Sequence, residues 1–97
     1  MPEQTTCASL LKVLADETRL SVMQQLMDGP KHVGEINDCL QIDQSLLSHH
    51  LKVLREKGLV ISERDGKAVL YSLAPDVSIN HQDGKVINLG CCQLSFE

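Results

Sequence analysis

The residues between 43 and 60 are the part of this chain best suited to contact another molecule. On a helix of 3.6 residues per turn, Leu47, Leu51 and Leu54 share one face. Another face carries short hydrogen-bonding groups and a cation at positions i, i+3, i+4 and i+7, namely Ser45, Ser48, His49 and Lys52. Such side chains suit base edges and phosphates, whereas a merely solvated face would more often carry long charged residues. The pattern predicts a helix that buries its leucines and enters a groove of DNA.

The cysteines are a second group that could do chemistry. Their positions, 7, 39, 91 and 92, lack the paired ligand spacing of a zinc finger. Neighbouring side chains of a regular strand point to opposite faces, so Cys91 and Cys92 could not hold one ion together there. The apolar alternation shifts by one position at these two cysteines, however, and a bulge beside Gly90 would explain the shift. Such a bulge could bring both thiols to the same side.

Thiolates in this arrangement suit a thiophilic metal or metalloid. As(III) takes three sulfurs in a pyramid, and Cu(I) and Zn(II) are further candidates. The third sulfur would come from Cys7 or Cys39, of the same chain or of a second copy. Without a metal, oxidation would link Cys91 or Cys92 to Cys7 rather than to each other, because a disulfide between neighbours is strained. The remaining alternative is that the cysteines are small buried hydrophobes without a sensing role, as we expect for Cys39.

Size and composition indicate one small domain. With 97 residues, one Phe, one Tyr and no Trp, the core must be mainly Leu, Ile and Val, and a homodimer would add shared apolar surface. No apolar run approaches the roughly 20 residues that cross a bilayer, and the first residues do not resemble a signal peptide. We therefore expect a cytoplasmic protein with no membrane association, in which the cysteines are reduced by default.

The net charge of −4 alone would argue against binding to nucleic acid. The distribution of the charge along the chain does not. Residues 44–67 carry five basic and three acidic side chains, whereas residues 1–43 carry three basic and seven acidic ones. Positive charge therefore collects on the segment expected to face DNA. We expect weak non-specific binding, and a strong dependence on base contacts and on the avidity of a dimer.

Four helices are expected to position these groups. A threonine can cap a first helix over residues 7–15, and Asp16 can begin a second helix that stops at Gly29-Pro30. Residues 32–40 predict a short third helix, and Asp43 is a good cap for the fourth. Two helices joined by a tight turn, the second with a polar face, form a helix-turn-helix.

After Gly58 the pattern changes to strands. Residues 59–63 and 67–73 flank the turn sequence Arg64-Asp65-Gly66, which predicts a β-hairpin. A hairpin directly after a recognition helix is a wing, in which Arg64 and Lys67 could contact phosphate or the minor groove. The alternative is an ordinary solvated turn.

The C-terminal residues predict a second hairpin. A three-residue turn, Gln82-Asp83-Gly84, would place Ile79 opposite Ile87. The expected fold class is mainly α with a small β component, a winged helix-turn-helix of about four helices plus wing hairpin, with a C-terminal β-hairpin. We expect the DNA-binding domain to cover residues 1–74, and residues 75–97 to be a hairpin extension of that domain.

From about Leu10 to Leu73 the chain resembles the ArsR/SmtB family of bacterial winged-helix repressors. The resemblance lies in motifs that follow in order, at residues 13–20 (VLADETRL), 44–54 (QSLLSHHLKVL), 55–60 (REKGLV) and 69–73 (VLYSL). It implies a homodimer that binds an inverted-repeat operator in double-stranded DNA and leaves it when an inducer binds. It also implies that the groove contacts are made by Gln44, Ser45, Ser48 and His49. His50, by periodicity, is expected nearer the core as a partly buried, hydrogen-bonded histidine.

This chain departs from the family at the positions where family members bind their metal inducers. Arsenic- and cadmium-responsive members carry a Cys-Val-Cys run on the third helix, where this chain has His32-Val33-Gly34. Zinc-sensing members use carboxylates and histidines on a C-terminal helix, where this chain predicts a hairpin with a lone His81. Because the first helix and the C-terminal segment flank the family's dimer interface, Cys7 is the preferred partner of Cys91 and Cys92. His32 and His81 are expected to be solvated rather than ligands.

Three classes of function differ in how well they fit these residues. A dimeric transcriptional repressor accounts for the polar helix face, with release by arsenite as the first expectation, by another thiophilic metal, or by thiol oxidation. A winged helix used for protein–protein interaction would more often present an apolar face. An enzyme is not expected, because no nucleophile–base pair, phosphate loop or paired carboxylates stand at catalytic spacing. No cofactor is required for DNA binding.

Overall fold

The computed structural model describes residues 6–80 and 85–96. Within them, helices and strands follow one another as α1 (Cys7–Leu14), α2 (Glu17–Leu26), β1 (Lys31–His32), α3 (Val33–Leu40), α4 (Gln44–Glu56), β2 (Val60–Asp65), β3 (Ala68–Leu73), β4 (Ser78–Asn80), β5 (Lys85–Asn88) and β6 (Gln93–Phe96). The strands form two antiparallel sheets, with orders β1-β3-β2 and β4-β5-β6. The predicted winged helix-turn-helix, mainly α with a small β component, is confirmed.

Three helices begin at the polar residues that the sequence predicts as caps. The side chains of Thr6 and Asp16 each accept a hydrogen bond from the backbone N–H three residues further on, at 3.1 and 3.0 Å. Asp43 Oδ1 accepts from the backbone N–H of Ser45 at 2.7 Å. Each cap satisfies an N–H that the helix itself leaves unpaired, and so favours one starting residue. Asp43 thereby helps to set which side chains of α4 face outwards.

The core is organised around the apolar side of α4. Leu47, Leu51 and Leu54 are completely buried there. They belong to one cluster with completely buried residues of α2, α3 and β5, which are Val22, Met23, Ile36 and Ile87. Burying a leucine side chain contributes about 1.5–3 kcal/mol. The three leucines therefore fix the rotation of α4 about its own axis.

The wing consists of β2, β3 and the turn between them. Asp65 pairs with Ala68, so the turn is the two-residue Gly66-Lys67. The predicted turn at Arg64-Asp65-Gly66 is wrong, because β2 continues to Asp65 and β3 begins only at Ala68. Gly66 has φ 65°, which suits the first central position of a two-residue hairpin turn. The predicted turn has this glycine in its last position instead.

A third strand, too short to be expected from the sequence, completes the first sheet. Lys31 pairs with Tyr71 and His32 with Leu70, both on β3. Since β1 runs directly into α3, this pairing joins the wing to the helix-turn-helix. The wing is therefore held on its β3 side by the backbone that leads into α3.

The C-terminal residues form a three-stranded meander rather than a single hairpin. The predicted register is confirmed, with Ile79 opposite Ile87. The predicted turn at residues 82–84 lies outside the described residues. Asn88 pairs with Gln93 on the additional strand β6. The domain boundary expected between residues 74 and 75 stays a prediction.

The bulge predicted at the vicinal cysteines is wrong, because the chain reverses there. The backbone N–H of Leu89 donates to the carbonyl of Cys92 at 2.9 Å, which closes a turn over residues 89–92. Gly90 has φ 93°, and its N–H donates to Asn88 Oδ1 at 2.7 Å. The shift in apolar alternation comes from this reversal, which puts the apolar positions before and after it on separate strands.

His50 is tied to the corner between α1 and α2. Its side chain is buried, and its Nδ1 accepts a hydrogen bond from Arg19 Nε at 3.0 Å. Arg19 Nη1 also donates to the carbonyl of Val13 at 3.0 Å. The predicted buried, hydrogen-bonded histidine is confirmed. Burial lowers the pKa of His50, with further lowering by the Arg19 and His49 charges and opposition from Asp16, because the charged ring is poorly hydrated there.

We expect the His50 contact to make the fold less stable in mild acid. Its lowered folded pKa means that its contribution is present above the unfolded pKa of about 6.5 and is lost as pH falls from there through the folded pKa. His50→Gln keeps an acceptor for Arg19 but does not titrate. Urea unfolding at fixed protomer concentration should therefore show a smaller loss of unfolding free energy between pH 7.5 and 5.5 in the variant. Equal losses in both proteins would contradict this account.

The α4 leucine stripe offers a test of the packing. Leu51→Ala should lower the free energy of unfolding by about 2–5 kcal/mol, because it leaves a cavity in a completely buried site. Leu46→Ala is the matched control on the same helix, since Leu46 is 47% exposed, and it should change stability by less than about 1 kcal/mol. Urea denaturation of both variants measures the difference. Similar losses would show that α4 is not held by its buried face.

Candidate DNA-binding surface and cysteine cluster

The outward face of α4 carries the predicted groove contacts. The side chains on it are all exposed, and they are Gln44, Ser45, Ser48, His49 and Lys52. The buried leucines and His50 occupy the opposite side of the same helix. The division into an apolar side and a polar side that the sequence predicts is therefore present. We call these five residues the α4 polar face.

The α4 polar face has the hydrogen-bonding capacity that groove recognition needs. Hydroxyl, amide and imidazole groups can both donate and accept, and Lys52 adds a positive charge. Asp43, at the start of the helix, is the nearest acidic residue on its N-terminal side, and its carboxylate accepts hydrogen bonds from the backbone of Ser45 and Leu46. The first turn of α4 itself contains no acidic residue. The N-terminal half of α4 can therefore approach phosphate without a repelling carboxylate in that turn.

Leu46 is a feature of this surface that the sequence analysis missed. It lies beside Ser45 in the first turn of α4 and is 47% exposed. Its position outside the buried i, i+4, i+7 stripe was visible in the sequence. An exposed leucine among polar groups can contact a thymine methyl group in the major groove.

Both predicted basic residues of the wing are exposed at its tip. Arg64 lies near the end of β2, and Lys67 lies in the turn. Asp65 stands between them, and its Oδ2 lies 2.8 Å from His32 Nε2. The acidic residue of the wing tip is thus paired with a histidine of the helix-turn-helix. The prediction that His32 is simply solvated is therefore wrong.

The cysteine cluster joins the two ends of the described chain. Cys7, the first residue of α1, forms a disulfide with Cys91 in the turn over residues 89–92. Cys92 Sγ lies 3.9 Å from Cys91 Sγ, and all three sulfurs lie within 4.8 Å of one another. The three cysteines that the sequence analysis selected therefore meet within one chain. The turn, rather than a bulge, brings Cys91 and Cys92 to the same side.

The remaining predicted positions are placed differently. Cys39 is exposed, so its predicted packing role is wrong. The inward face of α3 is centred on the completely buried Ile36, and Cys39 lies at the edge of that narrow stripe. His81 lies outside the described residues.

The cysteine cluster lies beside the C-terminal end of α4. Cys91 and the C-terminal end of α4 border the same cavity of about 440 Å³, which is lined by Leu10, Lys57, Gly58, Leu59, Asp76, Val77, Leu89 and Cys91. Lys57, the residue that ends α4, donates from Nζ to Ser9 Oγ of α1 at 3.0 Å. α1 therefore contacts both the disulfide and the end of α4. No sequence pattern predicts this contact, because residues 9 and 57 belong to separate motifs.

No helix among residues 6–80 and 85–96 combines the length and the apolar character that crossing a membrane requires.

Comparison with known proteins places the chain in a family. The family profile described as "Bacterial regulatory protein, arsR family" matches residues 16–62. The HTH-type transcriptional regulator NmtR of Mycobacterium tuberculosis is 42% identical over 66 residues, which cover 68% of this chain and 55% of NmtR. The chain spans about half the length of the curated relatives it matches first.

Solved structures show the same fold. HlyU from Vibrio cholerae matches with a TM-score of 0.65 and 42% identity, over 67% of this chain and 71% of HlyU, and it has also been solved in a reduced form. The homodimeric winged helix-turn-helix DNA-binding domain Mb0332 of Mycobacterium bovis matches with a TM-score of 0.63 and 28% identity, over 78% of each chain. With its motifs, its fold and these relatives in agreement, this chain belongs to the ArsR family of bacterial regulatory proteins.

Proposed function

We propose that this chain is a dimeric, sequence-specific DNA-binding transcriptional repressor. The observation that carries the proposal is the α4 polar face, which is exposed while three leucines on the other side of the helix are completely buried. A helix held in this way presents short polar groups at a fixed orientation. That arrangement is what direct contact with base edges in the major groove requires.

The proposed roles of the residues follow from their chemistry. Gln44, Ser45, Ser48 and His49 would contact bases and backbone in the major groove, and Lys52 would contact a phosphate. Arg64 and Lys67 at the wing tip would contact phosphate or the minor groove beside it. Phosphate contacts position the protein on the duplex, whereas base contacts specify the sequence.

The proposed operator is an inverted repeat bound by a homodimer. The name of the Mb0332 domain describes it as homodimeric, and the resemblance to the ArsR/SmtB family implies the same for this chain. In a symmetric dimer, two copies of α4 would enter successive major grooves about one helical turn apart. Because the chain's charge is −4 overall, we expect the base contacts and the pairing of two α4 helices to contribute more than general attraction to DNA.

We further propose that Cys7, Cys91 and Cys92 bind a thiophilic inducer, with As(III) first. A thiol reductant, itself oxidised to a disulfide, would supply the two electrons and two protons that convert the Cys7–Cys91 disulfide into two thiols, and Cys92 adds the third. Arsenous acid would then exchange three hydroxyls for three thiolates and release three waters. The support is the convergence of the three sulfurs within 4.8 Å, which matches the demand of As(III) for a pyramid of soft ligands.

A second candidate mechanism is a thiol redox switch, and the Cys7–Cys91 disulfide favours it. Here, a two-electron oxidant would convert the Cys7 and Cys91 thiols to the disulfide without any metal. Cys92 would be dispensable for that reaction, whereas the three-sulfur site needs it. The two mechanisms therefore make different demands on Cys92.

Either mechanism would act on α4 through α1. Cys7 begins α1, and two residues later Ser9 accepts a hydrogen bond from Lys57 at the end of α4. Forming or breaking a bond at Cys7 or Cys91 would shift α1 and the turn over residues 89–92. Both line the cavity beside Lys57. In a dimer, the two α4 helices would then lose the spacing that the operator requires.

The α4 polar face can be tested by substitution. Once a binding sequence has been selected from random DNA, Ser48→Ala or His49→Ala should weaken binding to it by about 1–3 kcal/mol, because base contacts are lost while the core is intact. Ser95→Ala, at an exposed serine of β6, is the matched control and should bind normally. Fluorescence anisotropy measures the affinities, and circular dichroism verifies the fold. Unchanged affinity in both variants would remove this face from the interface.

The cysteine cluster can be tested by separating its two mechanisms. Cys92→Ser should abolish release of the operator by arsenite and leave release by a mild oxidant intact, if As(III) needs three sulfurs and the disulfide needs two. Cys91→Ser should abolish both responses, and Cys39→Ser is the control at an exposed cysteine. Anisotropy of reduced protein–operator complexes, titrated with each reagent, gives the answer. Full arsenite release in Cys92→Ser would contradict the three-sulfur site.

A further inference from the structure

His32 connects the wing tip to the first turn of α3. It is the last residue of β1 and the N-cap of α3. Its Nε2 lies 2.8 Å from Asp65 Oδ2, next to the wing turn, and its Nδ1 lies 3.0 Å from Glu35 Oε1. Its backbone N–H donates to the same Glu35 oxygen at 2.8 Å. We call these three residues the His32 bridge.

The His32 bridge is complete only when the imidazole is positively charged. Ionised carboxylates can only accept hydrogen bonds, and a neutral imidazole has a single N–H to donate. The protonated ring has two, one for each carboxylate. The hydrogen bonds to Asp65 and then Glu35 accordingly raise the pKa of His32 above 6.5, and the contact with His32 lowers the pKa of Glu35.

The charged surroundings of the ring come from three elements. Glu35 belongs to α3 and Asp65 to the end of β2. Lys31 precedes His32 on β1, and its charge is the smallest of the causes that lower the pKa of Glu35. The backbone partner on β3 is the uncharged Leu70. The two carboxylates therefore dominate the titration of His32.

We propose that His32 is a positioning residue for the wing, which in its protonated form holds the wing tip against α3 in the orientation that binds DNA. The inference rests on the proposed DNA-binding function. The protonated ring also compensates the Asp65 carboxylate, which lies between Arg64 and Lys67 and would otherwise repel phosphate. When the proton leaves, one of the two hydrogen bonds is lost, and the Asp65 charge is no longer balanced.

The expected pH dependence has a definite sign. Because the folded pKa of His32 is raised, the bridge is complete below about pH 6.5 and is lost as pH rises through the folded pKa. DNA affinity should therefore fall as pH rises through and above neutrality. This direction is opposite to the effect of His50, whose contribution to stability is lost in acid.

The bridge itself can be tested without DNA. In an NMR titration of the full chain, the His32 ring should show a pKa above 6.5 that falls towards 6.5 in Asp65→Asn. Glu63→Gln is the matched control, because it removes an equal charge from the same strand and should leave this pKa nearly unchanged. Amide exchange at residues 64–68 should be faster in His32→Gln than in the natural chain at pH 6. A wild-type pKa at or below 6.5, or one that Asp65→Asn does not move, would overturn the bridge.

Its consequence for DNA is tested by a pH profile. Between pH 6 and 8.5, the affinity of the natural chain for the selected operator should fall by about two- to fivefold more than that of His32→Gln, as expected for an exposed ion pair. Equal profiles alongside the expected NMR result would overturn the role of His32 in DNA binding. Failure of the natural chain to select any sequence at pH 6 would instead count against the repressor proposal, while the NMR result would still stand.

Discussion

The structure depends on the division of α4 into a buried side and an exposed side. Leu47, Leu51 and Leu54 have no exposed surface, so the helix cannot turn about its axis without bringing apolar surface into water. The Arg19–His50 hydrogen bond adds a polar contact whose geometry is directional. The backbone that carries the exposed polar groups is consequently as well fixed as the core itself. A surface that must match the spacing of base edges benefits from a rigid support of this kind.

The two ends of α4 have different neighbours. Its N-terminal half presents the polar face, whereas its C-terminal end contacts α1 through Lys57 and Ser9 and lies beside the cavity that Cys91 lines. A helix of 13 residues is about 20 Å long, so a tilt of about 5° at one end moves the other by about 2 Å. The cysteines can therefore influence the polar face without lying near it.

Local chemistry made much of this arrangement predictable from the sequence. The caps at Asp16 and Asp43 and the leucine stripe of α4 follow from short-range rules, and the structure contains them. The prediction was wrong where two local patterns competed. Gly66 fits both a two-residue and a three-residue turn, and a shift in apolar alternation at Gly90 fits both a bulge and a chain reversal. Only pairing with the neighbouring strand, which is a long-range contact, decides between such alternatives.

The contacts that link separate motifs were beyond sequence reasoning for a related reason. His32 and Asp65 are 33 residues apart, and Arg19 and His50 are 31 apart, so no periodicity relates them. The sequence did select Cys7, Cys91 and Cys92 as a group, because few other residues in the chain have soft ligands. The stretch that matches the thiolate run of arsenic-responsive relatives, His32-Val33-Gly34, supplies a cap for α3 and a contact to the wing instead.

The disulfide also bears on how long the protein survives. It joins residues 84 positions apart, so in the oxidised state nearly the whole chain is a closed loop, even when unfolded. Closing a loop of this length reduces the entropy of the denatured ensemble by an amount equivalent to about 4–5 kcal/mol. Oxidised molecules would therefore open less often to proteases than reduced ones. The redox state of these two cysteines would thus affect how fast the protein is degraded.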